Sequence, residues 1–117
     1  MGMVDKDEFN KKVEMLSEDI MLEVITIFLA SYPERKSDIV NALKEQNFRD
    51  MEFAAHALKN ELSQLGAPQI LADSQNFLEM IRKGETKELD STFDSLNNDI
   101  ENLLIPELKE WYNQHKS

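Results

Sequence analysis

The sequence predicts an all-α protein, an antiparallel up-down four-helix bundle with an additional short N-terminal helix. Apolar residues recur every three or four positions, which is the helical period, and no segment alternates as a strand would. Only 3 Gly and 3 Pro are present, which is few for an all-β or α/β chain. Short connections between helices of about 12 to 25 residues favour antiparallel neighbours.

The N-terminal part of the chain contains the most apolar segment. Residues 5–16 are compatible with a short capping helix. Ser17 is a suitable N-cap for the next helix, because acidic residues follow it directly. Residues 20–29 are apolar around most of the helix circumference, so we expect this helix to be more buried than most. Pro33 predicts a break or a restart before a second apolar stripe at residues 39–43.

The middle of the chain predicts two helices. After a polar break at residues 47–50, a helix is predicted from about Arg49 to Leu65, with Gly66 as its C′ residue. Pro68 begins the next helix, which runs to about Lys83 and stops at Gly84.

The last helix has the apolar seam of a bundle helix, since its apolar residues are spaced by four and three. The seam consists of Leu89, Phe93, Leu96, Ile100, Leu103 and, later, Trp111. Pro106 lies within this pattern and is expected to kink or end the helix. We expect the tail after Trp111 to fray.

Length and composition restrict the function. With 117 residues the chain is expected to form one domain, residues 1–117. The formal charge of −10 argues against binding to nucleic acid or to anionic membranes. There is no Cys, and the two His are far apart, so we expect no metal site. No glycine-rich phosphate loop, signal peptide or segment long enough to span a bilayer is present, and a cytoplasmic monomer is expected.

His56 is the residue of greatest chemical interest. On a helical wheel with Met51 at 0°, the apolar residues of its helix fall between roughly 300° and 40°. This stripe consists of Met51, Ala54, Ala55, Leu58, Leu62 and Leu65. His56 falls at about 140°, nearly opposite the stripe. The stripe must face the core, so His56 is expected to stand on the exposed face.

The residues around His56 form a recognisable pattern. The stretch AHALKNELSQLGA resembles the signature A-H-x-L-K-G-x-x-x-x-L-G-A of the histidine-containing phosphotransfer (HPt) domain. The order of helices and breaks over most of the chain is also similar to that family. One residue departs from the signature, because Asn60 stands where the family usually has Gly.

The resemblance implies a two-component phosphorelay function. His56 would carry a phosphoryl group to or from the aspartate of a response regulator receiver domain, or accept it from a hybrid sensor histidine kinase. Imidazole is nucleophilic when neutral, and the aspartyl phosphate supplies the driving force. The family's receivers bring the Mg²⁺ and the acidic pocket. The chain itself is therefore expected to need no cofactor and to have no independent catalytic activity.

Two alternatives to this function remain open at the level of sequence. One is a degenerate, non-catalytic helical adaptor that binds a receiver or kinase without phosphotransfer. The other is a structural bundle without a reactive site.

The neighbours of His56 also allow alternative interpretations. Lys59, one turn away, can offset phosphoryl charge or be an ordinary solvated lysine. Asn60 can crowd the imidazole or donate a hydrogen bond to a phosphoryl oxygen. Ser63 leaves room for a partner, and Gln64 could donate to the phosphoryl group or the imidazole. Phe53 is either a docking contact or packs against a neighbouring helix.

Overall fold

The computed structural model describes residues 3–116, which contain no strand, so the prediction of an all-helical chain is confirmed. These residues form six α-helices and one π-helical segment: α1 Lys6–Leu16, α2 Glu18–Glu45, α3 Phe48–Leu62, α4 Pro68–Arg82, α5 Leu89–Asp99, the π segment Ile100–Leu104 and α6 Ile105–His115.

The helices assemble into a bundle in which α3 packs against both α2 and α4. Helix α4 also packs against α5, and α2 contacts α1, α5 and α6. Buried apolar side chains from all these elements form one core. Helix α3 therefore has neighbours on two flanks and one face toward solvent.

Helix α2 continues through Pro33, so the predicted break or restart is wrong. A proline in a helix interior removes one backbone hydrogen bond and costs about 3 kcal/mol. The ring of Pro33 is exposed, while residues before and after it are buried. The buried side chains of α2 are Met21, Ile25, Phe28, Tyr32, Ile39 and Ala42. Burial of one large apolar side chain contributes about 1.5–3 kcal/mol, so burial on both sides offsets the cost of Pro33.

The same helix is less buried than its composition predicts. Ile20 is exposed, and 63% of the Ile27 surface is exposed. Val24, which lies between them on this side of the helix, is half-buried. The expectation of unusually complete burial is therefore wrong for this side of α2, which is a partly uncovered apolar stripe.

Helix α3 ends earlier than predicted. Asn47 caps its N-terminus, because its side-chain oxygen accepts a hydrogen bond from the N–H of Asp50 at 3.1 Å. The last helical residue is Leu62, not Leu65, and a turn leads on to Gly66. The Ser63 hydroxyl donates to the Asn60 carbonyl at 2.6 Å, a local bond of the kind that competes with continued helix.

The seam of the last helical region shifts by one residue at the π segment. Ile105 N–H donates to the carbonyl of Ile100, five residues back, so this hydrogen bond encloses one more residue than an α-helical bond does. As a result, Leu104 is buried at this point of the seam, whereas the predicted seam residue Leu103 is exposed. Pro106 follows in the first turn of α6, and the helical path continues through it instead of ending.

The C-terminal residues are helical to His115, so the expectation of fraying after Trp111 is wrong. The Trp111 ring stacks on His115 at a centroid distance of 4.2 Å. It also meets the buried Phe9 of α1 edge-to-face at 5.0 Å. The contact between Trp111 and Phe9 fixes α6 against α1.

Helix α1 closes one end of the bundle, as the predicted capping helix would. Asp5 N–H donates to the Gly66 carbonyl at 2.9 Å, and Glu107 accepts hydrogen bonds from the N–H groups of Met3 and Val4. Gly66 has φ +63° and lies directly against the backbone of Phe9. The turn after α3 is therefore held by the N-terminal segment.

Replacing Gly66 with Ala is expected to cost about 2–5 kcal/mol of unfolding free energy. The new Cβ would lie 2.7 Å from both the N and the Cα of Phe9, in a backbone conformation unfavourable for Ala. Gly84→Ala is the matched control, because Gly84 has φ +72° but no atom within 4 Å of an added Cβ. It should cost only about 1–2 kcal/mol in urea unfolding. Equal losses of unfolding free energy in the two variants would contradict the close approach of α1 to Gly66.

Tyr32 links α2 to α5 in the interior. Its hydroxyl donates to the Asn97 side-chain oxygen at 2.7 Å. Burial, and secondarily the negative charge of Glu101, raise the pKa of Tyr32 well above its ordinary value of 10.0. The folded state therefore retains the phenolic proton at a pH where the unfolded chain loses it.

This raised pKa predicts a loss of stability in alkali. Below pH 10.0 both states hold the proton, and the contribution of Tyr32 to stability is complete. Above pH 10.0 only the unfolded state ionises, and the wild type should lose about 1.4 kcal/mol of unfolding free energy from this residue by about pH 11. Tyr32→Phe should not show this alkaline loss of unfolding free energy. At neutral pH the substitution should lower the unfolding free energy by about 0.5–1.5 kcal/mol. Parallel urea unfolding curves for the two proteins would test this, and identical pH dependences would contradict it.

Candidate functional site

Helix α3 presents His56 to solvent, as the helical wheel predicts. The predicted stripe residues are all buried, at 0–3% exposure, and His56 on the opposite side is exposed. Leu65 is buried too, although it lies beyond the helix end. The core contacts of the stripe thus set the direction in which the imidazole points.

An ion pair lies on each flank of α3. On the α2 side, Arg35 Nε lies 3.0 Å from Glu61 Oε1, and a second guanidinium nitrogen lies 3.5 Å from Oε2. On the α4 side, Arg82 Nε lies 3.6 Å from Glu52 Oε2. Glu52 and Glu61 are nine residues apart, so they lie on opposite sides of the helix and border its exposed face.

His56 lines an open hollow of about 550 Å³ at the N-terminal half of α3. Side chains in helices lean toward the N-terminus, so the imidazole covers the turn before its own Cα. The hollow is accordingly lined by residues that precede His56, namely Asn47, Arg49, Asp50, Glu52 and Phe53. A group attached to the imidazole would enter this space.

Phe53 is an exposed aromatic beside His56. It is 74% exposed and contributes to the same hollow. The alternative in which Phe53 packs against a neighbouring helix is therefore wrong. Phe53 also borders a second hollow between α2 and α3, together with Asp38, Glu45 and Ala54.

Lys59 lies three residues after His56 and is half-buried. Within residues 3–116, no carboxylate lies within 4.0 Å of its ammonium group. Its side chain leans toward the turn that carries His56, because helical side chains point to the N-terminus. Lys59 can therefore bring positive charge to the imidazole from its C-terminal side.

Asn60 and Gln64 face a different depression from the one that holds His56. Both line a groove of about 280 Å³ between α2 and α3, with Val24 and Ile27 on the opposite wall. Ser63 lines neither this groove nor the His56 hollow, and its hydroxyl proton is used in the bond to Asn60. The structure thus groups Phe53 with His56, and Asn60 with Gln64.

Two cations near His56 escaped the sequence analysis. Arg49 lies two turns before His56 on the same face of the helical wheel, so the helical spacing in the sequence is enough to place it near His56. Arg82 comes from α4 and reaches the site through Glu52. Nothing in the local pattern of α3 reveals Arg82, since its position depends on how α3 and α4 pack.

The site offers an exposed nucleophile and nearby cations. No three or more His, Asp or Glu side chains among residues 3–116 are arranged to hold a metal ion. No helix in the described part of the chain is long and apolar enough to cross a membrane.

Comparison with protein families identifies the class of this bundle. The Hpt domain family matches residues 23–105, which include α3 and most of the bundle. The chain therefore belongs to the Hpt domain family, whose members act in two-component phosphotransfer signalling. Comparison with curated proteins and with solved structures gave no match.

Proposed function

We propose that the protein is a phosphorelay carrier that holds a phosphoryl group on His56. The observation that carries this proposal is the position of His56, which is exposed on the solvent face of α3 at the histidine of the family signature. A carrier needs a nucleophile that two successive partners can reach, and an exposed histidine on a packed helix meets that need.

The proposed reaction is a direct transfer between two side chains. A neutral imidazole nitrogen attacks the phosphorus of an aspartyl phosphate on a receiver domain. The nitrogen–phosphorus bond forms, the bond from phosphorus to the carboxylate oxygen breaks, and the aspartate leaves as a carboxylate. The transition state spreads charge over the phosphoryl oxygens, so positioning and positive charge are the main requirements. Lys59 supplies positive charge in this proposal, and the receiver supplies Mg²⁺.

The proposed docking face surrounds His56 with exposed apolar groups. Phe53 lies toward the N-terminus of α3 from His56, and the groove with Ile27, Asn60 and Gln64 lies toward its C-terminus. Ser63, which directly follows the last helical residue of α3, leaves room for the partner. Exposed aromatic and aliphatic side chains that flank a reactive group are suited to a transient protein interface.

The proposal also includes the order of the helices, the cellular location and the oligomeric state. Consecutive helices α2 to α5 are joined by short connections, which supports an antiparallel up-down order of four helices with α1 as the additional one. We place this carrier in the cytoplasm as a monomer of one domain, with a receiver domain or a hybrid kinase as its partner.

Substitution of His56 tests the proposal directly. His56→Gln is expected to abolish transfer of label from a phosphorylated receiver, because the amide cannot form the phosphoramidate bond. The label on the wild type should be acid-labile and alkali-stable. Undiminished labelling of His56→Gln would contradict the assignment.

Two further variants complete this experiment. His115→Gln is the matched control and should keep full labelling, because His115 lies on α6 against Trp111. Lys59→Ala should slow transfer without abolishing it, since it removes charge and not the nucleophile. A His56→Gln variant that still binds the receiver, alongside a wild type that takes up no label, would favour the adaptor function instead.

Asn60→Gly tests the residue that departs from the family signature. We expect faster transfer or tighter docking, because Asn60 lines the groove beside His56 and its side chain mildly crowds a partner. The same change should cost a few tenths of a kcal/mol or more, since Gly disfavours helix. Stopped-flow transfer rates and urea unfolding measure the two effects. Clearly slower transfer in Asn60→Gly would indicate that Asn60 hydrogen-bonds the phosphoryl group.

A further inference from the structure

The ion pair between Glu52 and Arg82 lies one helical turn from the reactive histidine. Arg82 is the last residue of α4, and its Nε lies 3.6 Å from the Glu52 carboxylate. The two side chains are 46% and 49% exposed. A long, half-exposed pair of this kind is weak, so little free energy opposes its exchange for another partner.

Glu52 is positioned between Arg82 and the imidazole. Residues four apart on a helix are neighbours on its surface, and His56 leans toward the turn that contains Glu52. Glu52 and His56 line the same hollow. The guanidinium held by Glu52 is thus at the edge of the space that a phosphoryl group on His56 would enter.

Phosphorylation changes which anion is the better partner for Arg82. A phosphoryl group carries about −1.5 to −2 charge at neutral pH, against −1 for a carboxylate. Its oxygens match the planar fork of a guanidinium, which binds phosphate through two parallel hydrogen bonds. Without a cation between them, Glu52 and the phosphoryl group would repel each other. Transfer of Arg82 from Glu52 to the phosphoryl group gives the guanidinium the more highly charged partner. It also places positive charge between the phosphoryl group and Glu52.

We propose that Glu52 binds Arg82 next to the unmodified His56, and that Arg82 leaves Glu52 to bind the phosphoryl group once His56 is phosphorylated. This inference rests on the phosphohistidine proposed above. Arg82 would then contact the group from the α4 side, and Lys59 from the C-terminal side of α3. Glu52 acts through Arg82 and is a positioning residue.

Arginine side-chain NMR can observe this exchange without any receiver. Phosphoramidate transfers its phosphoryl group to imidazole with release of ammonia, and a His115→Gln background leaves His56 as the only histidine. On loading, the Arg82 Nε–H resonance should shift and its exchange with water should slow. The resonance of Arg35, which pairs with Glu61 on the opposite flank of α3, should stay in place. In Glu52→Gln, the unloaded Arg82 resonance should differ from wild type, whereas the loaded resonance should match it.

An unchanged Arg82 resonance on loading, or a shift of Arg49 instead, would overturn the proposal. Because loading by phosphoramidate needs no partner, a failure of receiver-dependent transfer would contradict the proposed function and leave this test intact.

A transfer equilibrium supplies the second measurement. With a phosphorylated receiver, Arg82→Gln should lower the equilibrium ratio of phosphorylated to unmodified carrier about three- to tenfold. Arg82→Lys should restore part of this loss through its charge. Lys83→Gln is the matched control, because it removes one positive charge at the adjacent exposed residue and should change the ratio by less than about twofold. Equal effects of Arg82→Gln and Lys83→Gln would show that only net charge matters and would overturn the proposal.

Discussion

The apolar stripe of α3 is buried between α2 and α4, and this burial sets the direction of His56. Each large side chain in the stripe contributes about 1.5–3 kcal/mol when it is removed from water. Rotation of the helix by one residue position would turn it by 100°, exposing part of the stripe and bringing His56 toward the core. The shorter and more buried ion pair between Arg35 and Glu61 holds the α2 flank in the same orientation. The exposed face that carries His56 is thus a consequence of the packing on the opposite side of α3.

The rest of the bundle keeps this helix rigid. The turn after α3 is held by the hydrogen bond from Asp5 and by the contact of Gly66 with Phe9. Phe9 in turn meets Trp111 of α6. The N-terminal helix therefore stabilises the end of the helix that carries His56, although it is far from the imidazole in sequence. A rigid scaffold suits the proposed carrier role, in which His56 meets different partners in the same geometry.

The parts of the structure that depend on local period could be predicted from sequence. The exposure of His56, the burial of Leu58 and the caps at Ser17 and Gly84 all follow from spacing and residue type. The path of α2 through Pro33 could not be predicted, because the deciding free energy comes from burial against other helices. The π segment and its shift of the seam to Leu104 depend on tertiary packing in the same way. The environment of Phe53, and the approach of Arg82 to the site, required knowledge of the neighbouring helices.

The central claim is that His56 itself receives the phosphoryl group. Its most direct test is a long-range ¹H–¹⁵N spectrum of the imidazole rings in the wild-type protein, recorded before and after mixing with a phosphorylated receiver. The account predicts that one ring nitrogen of His56 shifts to the position of a phosphorylated imidazole while both nitrogens of His115 stay in place. Unchanged His56 resonances, while the receiver loses its phosphoryl group to water, would contradict it.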